Sequence, residues 1–193
     1  MVQTNPELIE GCRCGDPIAQ RELFDAYKGK AFGILYGIVG EREACRDLLQ
    51  EVFIKVFRSI DRFRGDSDPG TWIHRISVNT ALDHVRKKQV PQVSMDDVGE
   101  IDPAECGDET PKSVDPHQAL EGAELGGRIA EAMGTLPPAH RAAILLREVE
   151  GLSYREIAES MDCSIGTVMS RLHYARERLR SLLAGAGGTE NGE

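Results

Sequence analysis

Between Leu152 and Leu183 the chain reads LSYREIAESMDCSIGTVMSRLHYARERLRSLL, a pattern that few folds accommodate. Ser153 followed three residues later by Glu156 is a capping box, in which hydroxyl and carboxylate each satisfy a backbone N–H at a helix start. Ile157, Ala158 and Met161 then share one face at helical spacing. Asp162-Cys163-Ser164 breaks the pattern, and Ser164 can cap a second, longer helix. In that helix Ile165, Val168, Leu172, Leu179 and Leu182 or Leu183 supply apolar positions. Arg171, Arg176, Arg178 and Arg180 point elsewhere, with Glu177 the one acid among them. Two helices joined by a tight turn, the second basic and exposed, form a helix-turn-helix. Its second helix enters the major groove of duplex DNA. An ordinary helical hairpin with a solvated basic face is the competing reading, and the coincidence of cap, short turn and basic excess favours DNA binding.

A net charge of −9 at first argues against a nucleic-acid partner. Its location removes the objection. From Val90 to Gly127 there are ten acids and one base, Lys112, so this stretch carries the entire −9 and the rest of the chain sums to zero. No apolar run reaches the length of a membrane span, and MVQTNPELIEG lacks a basic-then-apolar signal pattern, so no membrane insertion and a cytoplasmic location are expected. Five cysteines, Cys12, Cys14, Cys45, Cys106 and Cys163, fit that compartment as free thiols. Cys12-x-Cys14 has no second Cys or His pair nearby, and Asp66 with Asp68 lacks a third ligand, so no metal is expected. No cofactor motif or catalytic constellation is present, which points away from an enzyme.

Taken in order, residues 5 to 39 read as core-forming helices, begun at Pro6 and again at Asp16-Pro17, with Gly40 as a stop. Glu41 to about Phe63 is amphipathic: Leu49, Val52, Phe53, Val56, Phe57 and Ile60 form one stripe, and Asp47, Gln50, Glu51, Lys55 and Arg58 the opposite face. FRGDSDPG is a loop. A further helix starts at Thr71-Trp72, with His74, Arg75, Asn79, Arg86, Lys87 and Lys88 as its polar side. A basic helix end beside a loop and an aromatic can hold single-stranded nucleic acid, the phosphates meeting cations and an extruded base stacking. Periodicity vanishes from Gln89 to about Asp115, where acids and prolines dominate, so a flexible linker is expected. It returns near His117 with Leu120, Leu125, Ile129, Ala132 and Met133. After Pro137-Pro138 comes a helix with Ile144, Leu145 and Val149 inward and Gly151 as its stop. The fold class expected is all-α, with two small helical domains joined by an acidic flexible linker: residues 1–89, a linker at 90–116, a second domain at 117–184, and a disordered tail at 185–193.

Two separated segments resemble one family, the extracytoplasmic-function sigma factors of bacterial RNA polymerase, within the sigma-70 family. DLLQEVFIKVFRSIDRFRGDS at 47–67 with TWIHRISVNTALDHVRKK at 71–88 is similar to sigma region 2. LPPAHRAAILLREVEGLSYREIAESMDCSIGTVMSRLHYARERL at 136–179 is similar to region 4. The resemblance implies that Asp47, Gln50, Glu51 and Lys55 dock on core RNA polymerase. It implies that the loop and the helix after it, with Arg64, Ser67, Trp72, Arg75, Asn79, Arg86 and Lys87, capture the melted start-proximal promoter strand, Asn79 lining the pocket for a flipped base. Ser164, Thr167, Ser170, Arg171, His173, Tyr174 and Arg176 would read the upstream promoter element in the major groove. The sequence departs from the family pattern at Ser67-Asp68-Pro69-Gly70, Met169 and Tyr174. An anti-sigma factor is an implied partner, and one copy is implied on promoter DNA.

The alternative is a stand-alone regulator, a helix-turn-helix with an N-terminal helical sensor domain. It would dimerise on a palindrome and has no use for the ordered features of residues 47–88.

Overall fold

The computed structural model of the chain describes residues 6–63, 65, 68–89 and 126–185. They form helices α1 (Pro6–Arg13), α2 (Pro17–Val39), α3 (Arg42–Ser59), α4 (Pro69–Gln89), α5 (residues 126–134), α6 (Pro138–Glu148), α7 (Tyr154–Ser160) and α8 (Ile165–Gly185), with a 3-10 turn at Ile60–Arg62. No strand occurs among the described residues. Arg64, Ser67, the linker at 90–116 with Cys106, the onset of the second domain at His117 and the tail beyond Gly185 lie outside them.

The N-terminal half is built on α2. Asp16 caps it by accepting from Ile18 N at 2.9 Å, and Pro17 occupies the first turn, where no N–H is needed. Gly40 ends it in the left-handed region at φ 80°, its N–H donating to Tyr36 O at 2.8 Å. Leu23, Ala31 and Leu35 are fully buried against α3 and α4. Phe24 meets Phe53 of α3 edge to face, ring centroids 4.7 Å apart.

Helix α4 begins earlier than its apolar pattern suggests, at Pro69 rather than at Thr71-Trp72. Asp68 is the reason. Its carboxylate accepts from Gly70 N at 2.7 Å and its carbonyl from Trp72 N at 3.3 Å, and Pro69 suits a first turn. A side chain at Gly70 would meet Tyr27 at 3.1 Å, so the helix start lies close on α2. His74, expected on the polar side of α4, is 4% exposed, because α6 and α7 cover that face.

In the C-terminal half the capping box is present in both directions. Glu156 N donates to Ser153 Oγ at 3.3 Å and Ser153 N to Glu156 Oε2 at 2.8 Å. The bond from Ser153 holds the Glu156 carboxyl below its ordinary range. Ile157, Ala158 and Met161 are buried together. Asp162 turns the chain at φ 48°, one of the few non-glycine types that tolerate it. Ser164 then caps α8 by accepting from Thr167 N at 3.1 Å. Three residues of the expected apolar pattern face outward, and Ile129 is the first of them at 42% exposure. Val149 is 70% exposed because it follows the last turn of α6, where Ala142, Ala143 and Leu146 fill the interior. Ile165 is 48% exposed as the first residue of α8, ahead of the buried Val168, Leu172 and Ala175.

The two halves do not stand apart. α2 packs on α6 and α4 on α7, so buried side chains from Leu8 to Ala175 form one continuous core.

Candidate nucleic-acid and protein interfaces

Beside the N-terminal half of α4 lies an open cavity of about 560 Å³. Trp72, Arg75, Ile76 and Asn79, on one side of α4, form one wall. Lys55 and Ser59 of α3, Arg62 of the 3-10 turn and Phe63 form the other. Phe63 and Trp72 are in ring contact, centroids 5.3 Å apart, so the tryptophan is packed on one face and open towards the cavity on another. Arg13 Nη2 donates to Phe63 O and anchors α1 to this corner. The site thus offers three cations, an amide and two aromatic rings around a space that water fills freely. That chemistry suits phosphates and an unstacked base.

Lys55 belongs partly to this cavity. Its Nζ donates to Thr80 Oγ1 at 3.0 Å across to α4 and pairs with Glu51 at 2.7 Å. Lys55, Ser59 and Arg62 recur at helical spacing, the one sequence signal for this wall, and by itself such a run reads as simple solvation. Asp47, Gln50 and Glu51 are exposed on the outer face of α3, with Ile54 half-exposed among them. An apolar side chain ringed by charges is the composition of a protein-binding patch. At the far end of α4, Arg86 pairs with Asp83 at 3.0 Å and Lys88 with Glu41 at 3.0 Å. Lys87, between them, is exposed.

On α8 the candidates divide into three groups. Ser164 and Thr167 are engaged in the cap, their hydroxyls 2.9 Å apart, so both side chains are committed to the start of α8. Ser170 and His173, with Met169 beside them, are exposed opposite the buried stripe. The third group is the flanks. Arg171 and Arg176 are five residues apart, about 140° round the helix. Arg171 turns toward the inter-helix turn, its Nη1 3.5 Å from Cys163 Sγ, and Tyr174 on that side meets the His140 ring at 4.8 Å. Burial, and then the neighbouring Arg171, push the His140 imidazole below its ordinary value. Arg176 turns the other way and pairs with Glu148 of α6, Nη2 to Oε1 at 2.6 Å. There it borders an apolar groove lined by Ile129, Met133, Leu145, Val149 and Leu179. No helix among the described residues is long and apolar enough to cross a membrane. Among the described residues no cluster of metal-ligating side chains occurs, and the four described cysteines are free.

Comparison with known proteins gives a consistent result. Residues 23–90 match the Sigma-70 region 2 family and residues 126–179 the Sigma-70 region 4 family. The ECF RNA polymerase sigma-E factor of Escherichia coli (strain K12) is 38% identical over 177 residues, which cover 91% of this chain and 92% of that protein. The RNA polymerase sigma-H factor of Pseudomonas aeruginosa is 34% identical over 186 residues, covering 94% of each. Among solved structures, the Bartonella quintana sigma factor RpoE, in complex with the anti-sigma factor NepR, has a TM-score of 0.64 at 24% identity, covering 85% of this chain and 96% of that one. CnrH in complex with the cytosolic domain of CnrY has a TM-score of 0.62 at 20% identity, covering 92% and 96%. These two similarities establish the fold.

Proposed function

The chain belongs to the sigma-70 family as an extracytoplasmic-function sigma factor, a DNA-binding factor that directs promoter-specific transcription and is not an enzyme, and from that premise we propose how its residues divide the work. Residues 1–89 act as region 2 and residues 117–184 as region 4, joined by the acidic linker at 90–116. The exposed face of α3, with Asp47, Gln50, Glu51 and Ile54, docks on core RNA polymerase. The cavity beside α4 receives the melted start-proximal strand: Lys55, Arg62 and Arg75 meet phosphates, Trp72 stacks, and Asn79 reads a flipped base by its amide. Extruding a base costs a few kcal/mol, which the pocket must offset. On α8, Ser170, His173 and Arg171 face the upstream duplex. The protein works in the cytoplasm, one copy per promoter, and an anti-sigma factor restrains it.

The observation that carries this reading is the cavity itself. Cations from α3 and the 3-10 turn converge with Trp72 and Asn79 of α4, in a chain whose other half is a helix-turn-helix. A duplex-binding regulator has no need of such a site. Reconstitution tests it. Purified protein mixed with sigma-free bacterial core polymerase is expected to form a one-to-one complex that Glu51→Arg weakens by at least about ten-fold, the loss of one close charge contact. Absence of a complex, together with dimeric binding to duplex DNA, would overturn it.

A further inference from the structure

Lys55 stands where two surfaces of region 2 meet. Asp47, Glu51, Lys55 and Ser59 recur every four residues along α3. A row at that spacing is a ridge that slants across its helix. At one end Asp47 and Glu51 are exposed on the outer face. At the other, Lys55 and Ser59 line the cavity beside α4. The Lys55 ammonium is divided between the two ends. Its Nζ pairs with Glu51 Oε1 at 2.7 Å, one turn back on α3. It also donates to Thr80 Oγ1 at 3.0 Å, across to α4. Thr80 is buried and forms part of the cavity wall, so this second bond draws the cation inward.

An ammonium has three donors, and with two engaged one remains for a phosphate oxygen. What Glu51 takes away is charge rather than a donor, because a carboxylate in contact cancels much of the cation's pull on an incoming anion. Among the described residues that line the cavity there is no carboxylate, so Glu51 acts on the cavity through Lys55. We propose that Lys55 is an exchangeable cation: Glu51 competes for it with a phosphate of the melted strand, Thr80 holds it toward the cavity, and a basic group of core polymerase that engages Glu51 releases it to the DNA. Glu51 and Thr80 are then positioning residues, acting on the strand through Lys55. The competition rests on the cavity as the strand site, and the release rests on α3 as the polymerase face, both as proposed above. The latch is a weak one. Both side chains of the pair are about half exposed, and pairs of that kind shift an equilibrium only a few-fold. A partner's charge can therefore take Glu51 with no change of fold.

Two substitutions in the full chain test it with opposite signs. The free protein is titrated with a dye-labelled single-stranded DNA oligonucleotide. Glu51→Gln is expected to bind about three-fold more tightly than the parent. Its slope of log affinity against log salt is expected to steepen by about 0.7, one further phosphate contact on a single strand. Thr80→Val, of matching shape, is expected to bind about three-fold less tightly, as the cation returns to Glu51. Circular dichroism checks that both keep their helix content. Both effects are expected to vanish in a Lys55→Met background, which a general change of surface charge or of stability would not do. No gain for Glu51→Gln, or a gain that survives Lys55→Met, would overturn the exchange. Arg75→Gln separates this from the cavity reading. If that variant binds the oligonucleotide as the parent does, the strand lies elsewhere and both readings fall. If it binds more weakly while Glu51→Gln changes nothing, the exchange alone falls. Sigma-free core polymerase then decides the release. Glu51→Gln is expected to bind core more weakly although it binds the strand more tightly. Undiminished core binding would overturn release by docking and leave the competition standing.

Discussion

His74 shows how one residue can take a role its neighbours in sequence do not announce. Burial, with Lys30 adding to it, pushes its imidazole down to about 4, so it is neutral inside the fold. In the unfolded chain the same group takes a proton near 6.5. The stability that neutral burial permits is therefore complete above about pH 6.5 and is lost as pH falls from there toward 4, by up to about 3 kcal/mol. Glu150 opposes it: burial raises its carboxyl, so the folded form gains as that group takes up a proton. The net slope reports which group dominates, and the size of the His74 shift says it is the histidine. Urea midpoints measured at pH 7.5 and 5 are expected to fall for the parent and to change much less for His74→Leu. Equal slopes in the two proteins would remove His74 from the acid response.

At the scale of the element, α8 shows how a helix can carry basic residues that do unequal work. Among the described residues Arg171 has a sulfur neighbour and no carboxylate, whereas Arg176 already holds Glu148. The bond to Glu148 also pushes the Arg176 guanidinium above its ordinary value. A phosphate has to compete with that carboxylate for Arg176, and for Arg171 it does not. The slope of log affinity against log salt for duplex DNA is expected to fall by about one on Arg171→Ala. Arg176→Ala is expected to change it by much less. Equal slope changes would mean that Arg176 leaves Glu148 on DNA. The same logic applies on α3, where Lys55 is shared between Glu51 on the outer face and Thr80 beside the cavity, whereas Asp47 and Gln50 stay exposed.

For the whole molecule, the shared core makes a prediction about cooperativity. Side chains of both regions are buried in one cluster, so the parent is expected to unfold in urea as one transition. Trp72 is the only tryptophan and lies in region 2, which makes its fluorescence a local probe, while far-ultraviolet circular dichroism reports all helices. The two curves are expected to coincide for the parent and to separate for Gly37→Leu, because a side chain there would meet Leu145 of α6 across the contact with α2. Separate curves in the parent would mean that the regions unfold independently although packed together.

The boundary between local and tertiary information runs through particular residues. The capping box at Ser153 and Glu156, the stops at Gly40 and Gly151, the Ser164 cap and the concentration of acid between Val90 and Gly127 are all readable in order along the chain. Each depends on groups within four residues of one another, or on composition alone. The apolar stripes of α2 and α3 were equally readable, because a period of 3.6 marks which face of a helix is covered. It does not mark what covers it. His74 sits on a side of α4 that looks polar and is buried because α6 and α7 arrive there. Val149 and Ile165 look apolar enough for a core and are exposed, because each stands at a helix end outside the packed turns. Lys55 and Thr80, Arg176 and Glu148, and Arg141 and Ile38 meet across 25, 28 and 103 positions. No local pattern encodes such pairs. By itself the sequence determined the helices, their caps and the chemistry each can offer. The tertiary structure alone decided which described cations hold a carboxylate, which face of α4 borders the open cavity, and that the two halves lie against each other, since only packing sets distances between residues far apart in the chain.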